Sequence, residues 1–249
     1  MISIMLLGTA GSGKSTLTLT LSEWLKDHDR DTATLNLDPG VKWLPYAPDV
    51  DIRDYINLDE IMVKYELGPN GALVAAIDMM ASHLLKIREE IAELECDYLL
   101  IDTPGQMEIF AFRSTGPYIA SKITNEKKVI LCLIDSLFTK TPSDFISALL
   151  LATSVQYRFL SPQINVISKS DMLGIEEKEK IERWIEDPEN LEIDTMNEQR
   201  VIQGQLSRNV ANAIKEEILS DIIFTSSTTN EGIMDLFAMI ERTTENIIE

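Results

Sequence analysis

Cysteine and histidine are scarce, with two of each in 249 residues. Cys96 and Cys132 lack CxxC spacing, so neither a disulfide framework nor a closed zinc site can be assembled from this set. Both are expected to be reduced, buried and small-apolar in role. His28 and His83 fall in helical patterns without neighbouring ligand residues, so structural roles are expected for them. No apolar run approaches the roughly 18 residues of a membrane span, and the first residues carry no basic stretch followed by a cleavage signal. The chain is therefore expected to be a soluble, cytoplasmic protein with no membrane partner. Basic residues are also in short supply, 22 against 41 acidic ones, for a formal charge of −19. A field of that sign repels polyanions, so direct binding of nucleic acid is not expected. A local phosphate site survives this argument, because backbone N–H groups and one lysine can hold an anion whatever the net charge.

What is present is ordinary globular composition, 45% hydrophobic and 25% charged, enough for a sizeable core. No Gly/Ser or Pro-rich linker and no repeat divides the chain, so a single domain over 1–249 is expected. Short apolar runs at Ile2–Leu7, Thr34–Leu37, Tyr98–Ile101, Val129–Ile134, Ile164–Ile167 and Ile222–Phe224 read as strands separated by crossover helices. Ile77, Met80, Ala81, Leu84, Ile91 and Leu94 share one helical face, as do Ile233, Leu236, Phe237 and Ile240. Trp24 and Met79–Met80 are expected in core or dimer packing. The implied fold is a three-layer α/β/α arrangement with a mainly parallel sheet. Two long connections, 39–76 and 172–220, read as helical insertions. The second holds an acidic helix, Glu176 to Asp187, expected to present a solvated face, and a helix carrying Val201, Ile202, Leu206, Val210 and Ile214.

Gly8-Thr9-Ala10-Gly11-Ser12-Gly13-Lys14-Ser15 matches GxxxxGK[ST] between a predicted strand and a predicted helix. That is the phosphate loop of P-loop NTPases. Amides of Gly11, Ser12, Gly13, Lys14, Ser15 and Thr16 are placed to surround phosphate at a helix N-terminus. Lys14 is expected to bridge phosphate oxygens, and Ser15 to ligate Mg²⁺.

Asp102-Thr103-Pro104-Gly105-Gln106 follows a predicted strand, which sets Asp102 at a carboxyl end, within reach of a Mg²⁺ shell. Gly105 is expected to bring its N–H to the terminal phosphate, and Gln106 to orient a water. Asp38, also at a strand end, offers a carboxylate for the same water, although Asp38-Pro39-Gly40 alone is equally a turn. In Ser168-Lys169-Ser170-Asp171 the carboxylate can accept two parallel hydrogen bonds from guanine, a pair adenine lacks, while the Lys169 stem lies along the base. Ser226-Ser227 follows the last strand, where backbone amides, including that of Ser227, can meet the base oxygen; alone it reads as a turn. Taken together these point to GTP and GDP with Mg²⁺.

The ordered set GTAGSGKST, NLDPG, GPN, DTPGQME, SKSD and TSS resembles the GPN-loop GTPases and spans nearly the whole chain. Physically, Pro69-Asn70-Gly71 is a tight turn between two helical patterns. The resemblance implies more: a two-fold homodimer in which the Gly68-Pro69-Asn70 loop enters the partner's site, so that Asn70 acts in trans on developing charge. It also implies that Lys14, Asp38 and Gln106 serve hydrolysis, that Ser15 and Asp102 serve the metal, and that Asp171 serves the base. A link to RNA polymerase assembly follows by family analogy alone. Ser168 departs from the usual Asn or Thr of the guanine motif and lacks the amide that ties neighbouring loops. Two other readings stand beside hydrolysis: a nucleotide-stabilised scaffold with negligible turnover, and a P-loop metabolic kinase, which the sparse arginines of the long connections disfavour.

Overall fold

The computed structural model describes residues 1–196 and 222–245. Seven strands form one sheet in the order β3-β2-β4-β1-β5-β6-β7, every pairing parallel. The strands are β1 (Ile2–Gly8), β2 (Thr32–Asn36), β3 (Val50–Asp51), β4 (Tyr98–Asp102), β5 (Lys127–Asp135), β6 (Gln163–Ser168) and β7 (Ile222–Phe224). Helix α1 (Lys14–Asp27) follows β1; α2 (Leu58–Tyr65) and α3 (Pro69–Glu93) follow β3; α4 (Met107–Ala111) and α5 (Thr115–Lys122) follow β4. Helix α6 (Pro142–Phe159) follows β5, α7 (Ile175–Glu186) and α8 (Pro188–Met196) follow β6, and α9 (Ile233–Glu245) follows β7.

The unbroken apolar runs of the central strands are explained by burial on both faces. In β1, Ile4 and Leu6 pack with Leu17, Leu21 and Leu25 of α1 and with Ile233, Leu236 and Ile240 of α9. Met5 and Leu7 point the other way, into a larger cluster with α3, α5 and α6. Period-two alternation over two covered faces needs apolar residues at every position. Because all strands run in one direction, their carboxyl ends lie along one edge of the sheet, where ligands bind in open α/β sheets. Loops after β1, β2, β4, β5, β6 and β7 therefore converge there.

The six sequence-predicted strands are all present, and β3 is a seventh that was not anticipated. It has two residues, pairs Val50 with Leu35 and Asp51 with Asn36, and shows no period-two pattern long enough to read. The helix after the GPN turn begins at Pro69, so residues 69–76 belong to the sheet-covering helix and not to the preceding connection. Ala81 on that helix and Leu94, at its C-cap position, are only partly buried. Cys96 departs from expectation: it is half-buried in the connection before β4, while Cys132 on β5 is buried. The acidic helix α7 is not solvated all round. Ile181 and Trp184 are buried, with the Trp184 ring 5.5 Å from that of Phe145 and its Nε1 donating to Asp194 Oδ2 at 2.8 Å. His28 stacks on Trp24 at 3.9 Å and His83 neighbours Tyr55, structural settings for both. The helical pattern from Val201 to Ile214 lies outside the described residues. Among the described residues no helix is long and apolar enough to cross a membrane.

Leu21 is fully buried between α1 and the sheet. Leu21→Ala should lower the unfolding free energy by about 3 kcal/mol, as cavity-forming Leu→Ala changes do; the midpoint of a urea denaturation curve checks it.

Candidate functional site

At the centre of the carboxyl edge, the turn from β1 into α1 is built by backbone geometry that only glycine adopts freely. Gly11 and Gly13 have φ of +79° and +91°. A Cβ on Gly8 would lie 2.6 Å from Ser12 Oγ and 2.8 Å from the Leu133 carbonyl oxygen. Gly13 is the N-cap of α1 and supplies no capping side chain, and the first turn contains no acidic residue. The N–H groups opening α1 are thus left for an anion, with the helix dipole favouring negative charge there. Lys14 is buried, its Nζ donating to the carbonyls of Gly8 at 2.9 Å and Thr9 at 3.0 Å. Burial pushes its pKa down, opposed by the charges of Asp102 and Asp38. Ser12 Oγ is buried with no hydrogen-bond partner.

Asp102 ends β4 and is buried. Tyr46 donates its hydroxyl to Asp102 Oδ2 at 3.0 Å, and the Ser15 side chain adjoins the same carboxylate. Oδ1 is buried without a hydrogen-bond partner. Burial raises the pKa of Asp102, offset by Ser15, Tyr46 and the Lys14 charge. Asp38 accepts from the Gly40 N–H through Oδ1 at 2.8 Å and from the Gly105 N–H through Oδ2 at 3.3 Å. Its pKa too is raised by burial. The Gly105 amide, expected to face a terminal phosphate, here meets Asp38 instead, which places the two loops against each other. A Cβ on Gly105 would stand 3.6 Å from Ala10 of the phosphate loop. Gln106 occupies the N-cap position of α4 without a side-chain capping hydrogen bond and is partly exposed. Thr103 Oγ1 anchors this loop by donating to the Leu6 carbonyl at 2.6 Å.

Farther along the edge, Lys169 takes a left-handed conformation, φ +58°, and its Nζ donates to Asp135 Oδ2 at 2.6 Å. Its Cε lies 4.0 Å from where a Cβ of Gly13 would be, so the stem passes over the phosphate loop. Asp171 is exposed, one carboxylate oxygen accepting from Ser226 Oγ at 2.6 Å. Ser227 is partly buried, its carbonyl accepting from Thr20 Oγ1 at 3.4 Å. Ser168 does tie neighbouring loops, contrary to expectation. Its hydroxyl donates to the Ser12 carbonyl at 2.7 Å and lies 3.2 Å from that of Ile134, because β6 approaches the phosphate loop closely enough for a short side chain. Tyr46 and Asp135 were not anticipated. Asp135 sits at a strand's carboxyl end, the signal that marked Asp102; Tyr46 lies in a Pro-bounded connection with no periodicity to mark it.

Asn70 stands apart. It is exposed in the first turn of α3, and among the described residues it makes no hydrogen bond to the phosphate loop. A mainly apolar cavity of about 500 Å³ opens beside the loop, lined by Thr9, Ala10, Met107, Cys132, Phe138 and Leu151 together with Glu108, Asp135 and Asp144. Its carboxylates disfavour phosphate. Among the described residues no three His, Cys, Asp or Glu side chains converge as a metal centre. Mg²⁺ needs no such cluster, since it takes one or two protein ligands and completes its shell with phosphate oxygens and water. Ser15 and the orphaned Oδ1 of Asp102 fit that pattern.

Ser168→Ala strands the Ser12 carbonyl and should cost about 1–2 kcal/mol of unfolding free energy; an unchanged denaturation midpoint would deny the hydroxyl its structural weight.

Comparison with known proteins agrees with this geometry. A family model described as "Conserved hypothetical ATP binding protein" matches residues 6–246. The chain is 33% identical over 236 residues to a GPN-loop GTPase of Pyrococcus abyssi, covering 94% of this chain and 93% of that one. A crystal structure described as a GTPase in apo form from Pyrococcus abyssi superposes with a TM-score of 0.86, at 32% identity and 97% coverage of both chains. GPN-loop GTPase 1 of Dictyostelium discoideum is 32% identical over 244 residues, 96% of this chain; the chain spans 60% of that relative's length. The chain belongs to the GPN-loop GTPase family.

Proposed function

We propose that the protein binds GTP with Mg²⁺ and hydrolyses it to GDP and phosphate by in-line attack of water, working as a homodimeric switch. The observation that carries this reading is the convergence of unsatisfied polar groups at one point. The uncapped N-terminus of α1, the buried Ser12 hydroxyl and Asp102 Oδ1 are such groups, and the buried Lys14 ammonium, held by two carbonyls of the loop, lies with them at the centre of the sheet's carboxyl edge. Buried polar groups without partners are costly, and a magnesium triphosphate supplies the anionic and cationic partners they lack.

Backbone amides of residues 11–16 bind the phosphates, and Lys14 neutralises charge that builds between the β and γ positions. Ser15 and Asp102 hold Mg²⁺, which when bound screens the phosphate oxygens. Asp38 accepts a hydrogen bond from the attacking water in this reading, which its burial-raised pKa supports by bringing it closer to accepting the proton. Gln106 orients that water from the neighbouring loop. As the new oxygen–phosphorus bond forms, the bond to the β–γ bridging oxygen breaks and the electron pair leaves with GDP.

Guanine over adenine rests on Asp171. Ser226 fixes one oxygen of the carboxylate, and the lone pairs that remain suit the paired donors of guanine N1–H and its amine, whereas adenine would set an acceptor against an acceptor. This separates the proposal from the ATP in the family model's description. Asn70, exposed and unattached to its own site, is free to serve a second subunit, the trans role the family resemblance implies. Client proteins, including a polymerase under assembly, fall within the same proposal as analogy.

Competition of unlabelled GTP and ATP against a fluorescent GDP analogue tests base choice. GTP should win by about a hundredfold, the scale of losing hydrogen bonds to a charged acceptor; equal competition would remove the guanine assignment. Asn70→Ala should slow single-turnover phosphate release by about tenfold or more, the loss expected of one charge-stabilising donor. GTP affinity should stay within about threefold. Full-rate hydrolysis in that variant would exclude the trans loop.

A further inference from the structure

The connection from β2 to β3 is pinned at both ends. Near its start, Arg53 Nη1 donates to the Val41 carbonyl at 3.2 Å and the Gly40 N–H donates to Asp38. At its far end, the Thr34 N–H donates to Asp49 Oδ2 at 2.7 Å and the Asp49 N–H returns to the Thr34 carbonyl at 2.9 Å. Between these pins, residues 42–48 make one hydrogen bond among the described residues, from Tyr46 to Asp102 Oδ2 at 3.0 Å. That acceptor is the carboxylate whose other oxygen is buried and unpartnered. A hydroxyl donating to a carboxylate is among the stronger hydrogen bonds. It also removes the rotational freedom by which Asp102 could turn the wrong oxygen towards a cation.

We propose that Tyr46 is a positioning residue for the divalent cation: its hydroxyl fixes Asp102 Oδ2, which directs Oδ1 at the cation's hydration shell and fastens residues 42–48 to the site through the same bond. The inference rests on the Mg²⁺-dependent reading above and adds a residue to it. Tyr46 touches neither phosphate nor reacting atoms; it acts through Asp102. The arrangement makes the order of an exposed segment, which carries the 75% exposed Trp43, depend on the carboxylate that meets the metal.

Dissociation of a fluorescent GDP analogue from the full chain, followed across free Mg²⁺ concentrations and in EDTA, tests it. Tyr46→Phe keeps the ring and deletes only the hydroxyl. It should raise the Mg²⁺ concentration for half-maximal retention by about tenfold, the scale of one charge-assisted hydrogen bond, and leave the release rate in EDTA unchanged. A shift under about twofold, or equal acceleration with and without Mg²⁺, overturns the inference, since a merely structural loss would act in both conditions. Independently, tryptic cleavage after Lys42 should quicken in Asp102→Ala; an unchanged cleavage rate overturns the link to that segment. Should wild-type retention of GDP be indifferent to Mg²⁺, the functional reading itself falls and this inference with it, an outcome distinct from a Mg²⁺-responsive wild type matched by Tyr46→Phe.

Discussion

A buried lysine ammonium beside one buried and one half-buried carboxylate organises the functional edge of this molecule. Lys14 Nζ is held by the carbonyls of Gly8 and Thr9, and Asp38 and Asp102 act on it electrostatically. Each of the three is pushed by desolvation towards its neutral form; the two carboxylates draw Lys14 back and Lys14 draws each of them back, while the Asp38 charge adds to the upward push on Asp102. Three loops, after β1, β2 and β4, are brought together by this exchange, and each comes from a strand whose register is set by a sheet ladder that runs up to Asp102. The parallel sheet therefore does chemical work by geometry: it delivers charges of both signs to one point that no short segment could assemble alone.

The same logic reconciles a chain of formal charge −19 with an anion site. Amides at the start of α1 and one buried cation act within a few ångströms, where water is thin, while the many surface carboxylates are screened by solvent and salt. Selectivity then falls to the rim. Lys169 leans over the phosphate loop and is steadied by Asp135, Asp171 is steadied by Ser226, and Ser168 ties β6 to the loop through its hydroxyl, a tie not expected of so short a side chain.

Much of this was legible in the amino-acid order, for identifiable reasons. The strands β1, β4, β5 and β6 are central and covered on both faces, so their apolar runs are unbroken; the phosphate loop is marked by glycines that the backbone geometry demands. Asp102, Asp38 and Asp171 were found because each ends a strand or immediately follows one. Apart from Asp135, which ends β5 as Asp102 ends β4, what escaped had no such marker. β3 is two residues long, Trp184 hides in an otherwise acidic helix, and Tyr46 acts across 56 positions of chain from a connection without periodicity. Long-range side-chain contacts carry no local signature, and the site's supporting hydrogen bonds are of that kind.

The central claim is that the turn into α1 is a nest for the phosphates of a guanine nucleotide, closed by Lys14. Equilibrium titration of a fluorescent GDP analogue into wild-type protein and Lys14→Ala, with circular dichroism to verify the fold, tests it most directly. The account predicts tight binding by the wild type and a loss of about a hundredfold or more in the folded variant, as removal of a buried charge partner to phosphate requires. Undiminished affinity in Lys14→Ala would contradict it.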